Sequence, residues 1–377
     1  MKSIVLLSFW MVWCCLSCGR RGGNPGVSEG DTLQTVYAKG FDLIQGDHYL
    51  CAVVYNPWQQ GEVYARYYLV KDTSVVTPED GIKIQVPLRT LAANSATYYE
   101  SLYLIGSLPT VTGTCNASYV YNPQIRQGVA KGEIVDLGDS YNLNIERLMK
   151  LHPEAVMTTA YNSKDENSKR LAACGIPVLY NIEWQEVTPL GRAEWIRFIA
   201  AFYDKLPQAD SIFNGIVRRY ERLKKKVSAS ALEEKPSLLV GQDYRGTWSM
   251  PAGESFNANL YRDAGASYFY FDERGTGSVN TTIERALLNF GAADFWIAAV
   301  ADTYGEMAGM NSKYTLFKSY KSHKVYNFNK RTTPSGGNDY WEGAVVHADL
   351  VLSDLVKVLH PELLPGYETT YMKALNP

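Results

Sequence analysis

The sequence predicts an α/β protein of two lobes, each a central, mostly parallel sheet flanked by helices, joined by one long rigid helix. A β-rich segment precedes the first lobe. Three observations carry this reading. The first is Gln208 to Ser230, where Ile212, Phe213, Ile216, Val217, Tyr220, Leu223 and Val227 recur at helical spacing. Arg218, Arg219, Arg222 and Lys224 to Lys226 fall mostly on the opposite side. Taken alone, the stretch is an ordinary amphipathic surface helix, spanning roughly 30 Å at about 1.5 Å per residue. The second observation is what flanks it. Upstream come Leu102-Tyr103, Gly106, Ile145-Glu146-Arg147-Leu148 and the apolar Ala155-Val156-Met157. Downstream come Leu260-Tyr261, Gly265, Ile283-Glu284-Arg285-Ala286 and Phe295-Trp296-Ile297, in the same order at similar spacing. Short motifs also coincide by chance, so the pairing gains weight only with the third observation. On both sides of the helix, strand-like and helix-like segments alternate, the pattern of a parallel sheet.

The chain divides into residues 1–18, 19–30, 31–207, 208–230 and 231–377. Lys2 and the apolar run from Ile4 to Trp13 form a targeting segment too short to span a bilayer comfortably. Leu16-Ser17-Cys18-Gly19 follows and resembles a lipoprotein signal, with Cys18 the acylated residue, although Cys15 stands where Leu is usual. Residues 19–30 read as a flexible tether. Thr35 to Leu43, Tyr49 to Tyr55 and Val63 to Val70 are strands, rich in aromatic and β-branched residues. In the first lobe, helices are expected over Thr97–Leu104, Leu143–Leu151, Ser168–Ala173 and Glu194–Tyr203, and strands over Val111–Thr114, Ala155–Thr159 and Pro177–Tyr180. In the second, strands are expected over Ser237–Gly241, Phe295–Val300 and Lys324–Phe328, and helices over Ser255–Ala264, Thr282–Asn289 and Val345–Leu359. Gln242 to Pro251 and Asn329 to Tyr340 read as loops.

With 377 residues, 46% hydrophobic and 20% charged, the chain is long enough for two ordinary globular domains. A net charge of −2 argues against a nucleic-acid binder. The outlier is aromatic content: 27 Tyr and 8 Trp suit the grip of something bulky and partly polar, though most must serve packing. Apart from Cys18, the pattern treats Cys51, Cys115 and Cys174 as buried thiols, and no spacing selects a disulfide pair. There is no GxxxxGK[ST], GxGxxG, HExxH or GxSxG motif, so the sequence reads as no enzyme. No metal-ligand pattern stands out, and no resident cofactor is expected. His152 and His360 precede prolines at helix ends, where capping suits them, and His347 reads as an exposed histidine near an aromatic loop.

From about Ile84 to Leu364 the chain resembles the periplasmic solute-binding proteins of iron-chelate and vitamin B12 ABC transporters. The resemblance rests on Tyr99-Glu100-Ser101-Leu102-Tyr103-Leu104-Ile105-Gly106, on Leu143 to Leu148 with Leu151-His152-Pro153-Glu154-Ala155-Val156, and on Gly175-Ile176-Pro177-Val178. Gly253-Glu254-Ser255-Phe256, Asp263-Ala264-Gly265 and Leu359-His360-Pro361-Glu362-Leu363 complete it. Each motif is weak alone; their order is the specific feature. Residues 31–83 lie outside this core. The resemblance implies a ligand held between lobes, with little hinge motion about one stiff helix.

The loops at the strand ends then supply the candidates. These are Asn116, Tyr119 and Tyr121, then Tyr161, in the first lobe; Tyr244, Arg245 and Trp248 in the second; and Arg331, Tyr340 and Trp341 in the late loop. Aromatic faces suit a macrocycle or catecholate, and Arg suits an anionic chelate. The same residues would also serve simply to anchor their own loops. The resemblance further implies an ABC permease dimer with its ATPase as partner, met by Glu146 and Glu284, each equally readable as a solvated acid at a helix start. It implies a monomer in the periplasm, held to the membrane by its lipid alone, carrying a ferric siderophore or cobalamin. A haem carrier, an enzyme acting on the chelate and an accessory lipoprotein are the competing expectations.

Overall fold

The computed structural model describes residues 31–377 apart from 163–169, 172, 174 and 231–233. Cys18, Cys174 and half of the helix expected over Ser168–Ala173 lie outside the described residues. The N-terminal sheet has the order β1 (Asp31–Leu33), β2 (Phe41–Gln45), β3 (Leu50–Tyr55), β4 (Val63–Val70), β5 (Ile82–Gln85), antiparallel except where β5 joins β4. Alternation sorts its side chains. Phe41, Leu43, Ala52, Val54, Tyr67 and Leu69 enter the main core, while Ile44, Cys51, Val53 and Tyr68 close a small core on the other face. The strand expected from Thr35 begins only at Phe41, because two buried carboxylates take the preceding amides. Glu194 accepts from Val36, Tyr37 and Ala38, and Glu186 from Lys39 and Gly40.

The first lobe has the parallel order β12-β11-β6-β7-β8. Its strands are β6 (Leu91–Ala93), β7 (Val111–Thr114), β8 (Val135–Asp136), β11 (Ala155–Thr158) and β12 (Val178–Tyr180), with β9 (Gly138–Asp139) and β10 (Asn142–Leu143) forming a hairpin beside them. Ala155 to Thr158 are all buried, as expected of a parallel strand covered on both faces. The flanking helices are α1 (Tyr99–Leu104), α2 (Pro123–Lys131), α3 (Ile145–Leu151) and α4 (Pro189–Ala201). Helix α4 starts five residues earlier than expected, capped by the Thr188 side chain with Pro189 at its first position.

The connecting helix α5 (Leu206–Ala229) is 24 residues long and buries Phe213, Ile216, Tyr220, Leu223 and Val227, the apolar stripe of the sequence. Each end is tied to its own lobe. Lys205 Nζ bonds Ile105 O at 2.7 Å and Asp210 pairs with Arg197 at 2.7 Å on the first lobe. Arg219 pairs with Asp349 at 2.5 Å, and Lys224 with Asp263 at 3.0 Å, on the second.

The second lobe centres on β13 (Leu238–Val240) parallel to β16 (Phe295–Ile297), extended by single parallel bridges from Ser237 to Ser267 and from Trp296 to Val325. An antiparallel ribbon, β14 (Trp248–Pro251) with β15 (Ser278–Thr281), occupies part of the expected loop. A short pair, β17 (Tyr326–Asn327) and β18 (Lys373–Ala374), brings the C-terminus back. The helices are α6 (Phe256–Asp263), α7 (Ile283–Phe290), α8 (Tyr304–Met310), α9 (Lys318–Lys321) and α10 (Ala348–Leu359). Cys51 and Cys115 are buried free thiols. No helix among the described residues is long and apolar enough to cross a membrane.

Candidate functional site: two cavities between the lobes

The larger interlobe cavity holds about 360 Å³. At ~30 Å³ per water molecule this is far more room than a bare ion needs. The first lobe contributes Trp184, Pro189 and Arg192; the second contributes Phe256 and Tyr261 of α6, then Phe328, Tyr340 and Trp341. Tyr340 stacks on Phe328 at 4.0 Å between ring centroids. Burial pushes its phenol up to about 12, with the Arg192 charge pulling it back, so it stays neutral and offers a donor. The Arg192 guanidinium lies 5.5 Å over the Phe256 ring. Behind it, Glu183 is 3.6 Å away, and burial holds that carboxyl above the ordinary range against the pull of Arg192. Arg192 Nε and Glu183 Oε2 are both buried without a hydrogen-bond partner. Arg192 thus places a cation at the cavity wall, where an anionic oxygen would be favoured.

Beside this cleft the first lobe presents a row of partly exposed rings. Tyr141 stacks on Tyr161 at 5.2 Å, and Tyr161 meets Trp184 at 6.0 Å. These rings stand in loops near the carboxyl ends of parallel strands, where α/β sheets bind ligands.

The second cavity, about 300 Å³, is lined by Glu100, Arg331, Asp339, Glu342 and His347 among others, and lies where the loop before α2 meets the late loop. Arg331 Nε donates to Tyr121 OH at 3.2 Å and pairs with Asp339 at 3.1 Å. Glu342 accepts from the backbone amides of Tyr121 and Asn122. His347 Nε2 lies 2.8 Å from Glu100 Oε1. The backbones also meet closely here, and a Cβ on Gly337 would sit 2.6 Å from Val120 O.

Of the sequence candidates, Tyr340 and Trp341 line the larger cleft and Tyr161 stands beside Trp184. Tyr121 and Arg331 are brought together across the lobes, but in the second cavity. Tyr119 is exposed near Gly336. Asn116 has a left-handed backbone and gives its side-chain amide to Ser140 at 2.9 Å, a local loop contact. Tyr244 and Arg245 occupy a tight turn, with the guanidinium 5.1 Å over the ring, and line neither cavity.

Trp248 must be corrected. It is fully buried, donates from Nε1 to Val240 O at 2.9 Å and packs on Trp296 at 5.5 Å. The reason is strand alternation: Trp248 and Met250 face the core, so Ser249 and Pro251 face the cleft. His347 is corrected too, since it is largely buried and paired rather than exposed. His152 and His360 do sit at helix C-caps.

Glu146 and Glu284 occupy the first turns of α3 and α7, both exposed, with Glu284 paired to Lys313 at 2.5 Å. That pairing holds the Glu284 carboxyl down at about 2. Sequence reasoning missed Trp184, Arg192, Phe256 and Tyr261. The Thr188-Pro189 helix start was a usable signal for the position of Arg192; the others lie in elements that read as plain packing. Among the described residues, no three His, Cys, Asp or Glu side chains converge as a metal site.

Comparison with known proteins agrees with this architecture. An uncharacterized lipoprotein of Methanocaldococcus jannaschii is 26% identical over 94% of this chain and 88% of its own length. A periplasmic heme binding protein from Pseudomonas aeruginosa superposes with a TM-score of 0.57, at 12% identity over 77% of this chain and 99% of that one. Helicobacter pylori Ceue, solved with Ni(II) bound, gives 0.56 at 16% identity over 78% and 91%. At these identities the structural likeness establishes the fold alone. The family model described as periplasmic binding protein matches residues 91–297, which is more than half of the sequence and takes in the first-lobe sheet, α5 and the core of the second lobe. The chain therefore belongs to the periplasmic binding protein family.

Proposed function

We propose that this protein is the lipid-anchored, periplasmic substrate-binding component of an ABC importer, and that its cargo is a bulky, anionic metal chelate of the ferric-siderophore or cobalamin kind. The observation that carries the proposal is the larger interlobe cleft, aromatic on both sides with one half-paired arginine at its wall. Rings give contact area to a large ligand; Arg192 selects for negative charge. The metal travels inside its chelator, so the protein supplies stacking, hydrogen bonds and charge, and catalyses nothing. Cys18 is the proposed site of acylation. Glu146 and Glu284 are the proposed contacts for the permease dimer, and α5 fixes their separation. For Glu284, docking would exchange Lys313 for a permease cation. Haem is the alternative cargo; among the described residues lining this cleft, Tyr261 and Tyr340 are those that could ligate its iron.

Native mass spectrometry of the purified protein with a ferric siderophore, cobalamin or haem tests the reading. One of them is expected to survive as a 1:1 adduct. Retention of none of the three, with the fold intact, would overturn the cargo assignment.

A further inference from the structure

One short segment forms a wall of both interlobe cavities. From it, Tyr340 and Trp341 face the larger cleft, while Asp339, Glu342 and Gly343 face the second cavity. Glu342 is almost fully buried, and both its oxygens accept amides of the opposite lobe, from Tyr121 and, at 2.9 Å, from Asn122. The groups around it come from every neighbouring element. Glu100 projects from α1, His347 from the N-terminus of α10, Asp339 from the same turn, Arg331 from the late loop and Tyr371 from the C-terminal segment. Three carboxylates thus share one guanidinium and one imidazole. Each is already paired: Glu342 with the two amides, Glu100 with His347, Asp339 with Arg331. A cluster so satisfied acts as a fastening between lobes rather than as a ligand site.

We propose that Glu342 is a proton-linked latch: the lobes are held together more tightly when it takes up a proton and less tightly when it gives one up. Burial, with Asp339 and Glu100 adding to it, pushes the Glu342 carboxyl up to about 7, although its two amide bonds pull the other way. Parting the lobes would return it to water and to the ordinary range near 4.5. A carboxyl with the higher proton affinity in the closed form makes closing take up a proton. Closure is therefore favoured below about pH 7 and weakened as pH rises through it. Asp339 is also raised by burial and acts in the same direction. The segment that holds the latch also holds Tyr340 and Trp341, so acid would tighten the cleft around its contents. That last step rests on the function proposed above; the latch itself does not.

Hydrogen exchange of the peptide containing Tyr121 and Asn122 tests it, on the full chain without cargo, at pH 5.5 and 8.5, after division by the intrinsic rate. Protection should be roughly 30-fold greater at pH 5.5, from a carboxyl at about 7 in the closed form and 4.5 in the parted one. Glu342→Gln, neutral at both pH values, should lose most of that pH dependence and keep only the smaller part due to Asp339. Equal protection in the wild type, or an unchanged pH dependence in Glu342→Gln, would overturn the latch while leaving the cargo assignment standing. If Glu342→Gln does not fold, Glu100→Gln serves: loss of one neighbouring charge should shrink the pH dependence, and an undiminished dependence would refute the proposal.

Discussion

Replacing Trp248 with alanine separates a core role from a ligand role at a position where an aromatic loop residue invites the second. The indole is fully buried and contacts Trp296 at 5.5 Å, Phe317 at 5.9 Å and Tyr314 at 6.0 Å. Removing such a side chain costs about 3–5 kcal/mol, because the transfer energy is lost and the cavity collapses only in part. Its N–H also satisfies Val240 O, and losing that bond adds ~1 kcal/mol. The total is a large fraction of the ~5–15 kcal/mol that holds a typical domain folded. Urea unfolding followed by circular dichroism should show a marked fall in the midpoint. Ligand affinity, measured where the variant is still folded, should change less than about threefold, since Trp248 does not line the cleft. A tenfold loss of affinity with an unchanged midpoint would refute the argument and put Trp248 in the binding site. Trp248→Phe, which keeps a ring and loses the N–H, should fall between alanine and wild type.

Gly337→Ala places a Cβ 2.6 Å from Val120 O, backbone against backbone across the lobes, so the junction must part. The melting temperature should drop and exchange at Tyr121 and Asn122 should rise; wild-type behaviour in both would refute the contact. Arg192→Gln should weaken binding of an anionic cargo by roughly 10- to 100-fold, the worth of a charge-assisted hydrogen bond, as read by titration calorimetry; an unchanged affinity would remove Arg192 from the site. Glu146→Ala combined with Glu284→Ala should leave affinity and fold near wild type, since both groups are exposed, yet depress uptake in proteoliposomes. Normal uptake at physiological salt would sink the docking role.

The fold was legible because its signals are local. The helical stripe from Phe213 to Val227 became the buried face of α5, and Gly106 and Gly265 both adopt the left-handed backbone where their helices end. What was not legible depends on partners far along the chain. Nothing near Thr35 announces that Glu186 and Glu194 will take the amides of residues 36–40 and delay a strand. The β14–β15 ribbon was hidden because Trp248-Ser249-Met250-Pro251 is short, and its pairing partner lies at Ser278–Thr281.

The candidate site was half legible for the same reason. Composition and loop position mark aromatic residues as available, and Tyr340 and Trp341, which line the larger cleft, were singled out that way. They cannot say which way a ring points. In a strand that choice is set by period 2, and Trp248 went inward with Met250. In the late loop it is set by turns of 3-10 helix, which aim Tyr340 and Trp341 at one cavity and Asp339 and Glu342 at another. Tyr121 and Arg331 illustrate the consequence. Both suit a ligand by chemistry, and each instead satisfies the other across the lobes. Among the described residues that line the larger cleft, the one with an unmet hydrogen-bonding group is Arg192, on a helix that by pattern alone is packing. Function at an interface between lobes follows from which polar groups remain unpaired after folding, and that is settled by three-dimensional accounting rather than by residue type.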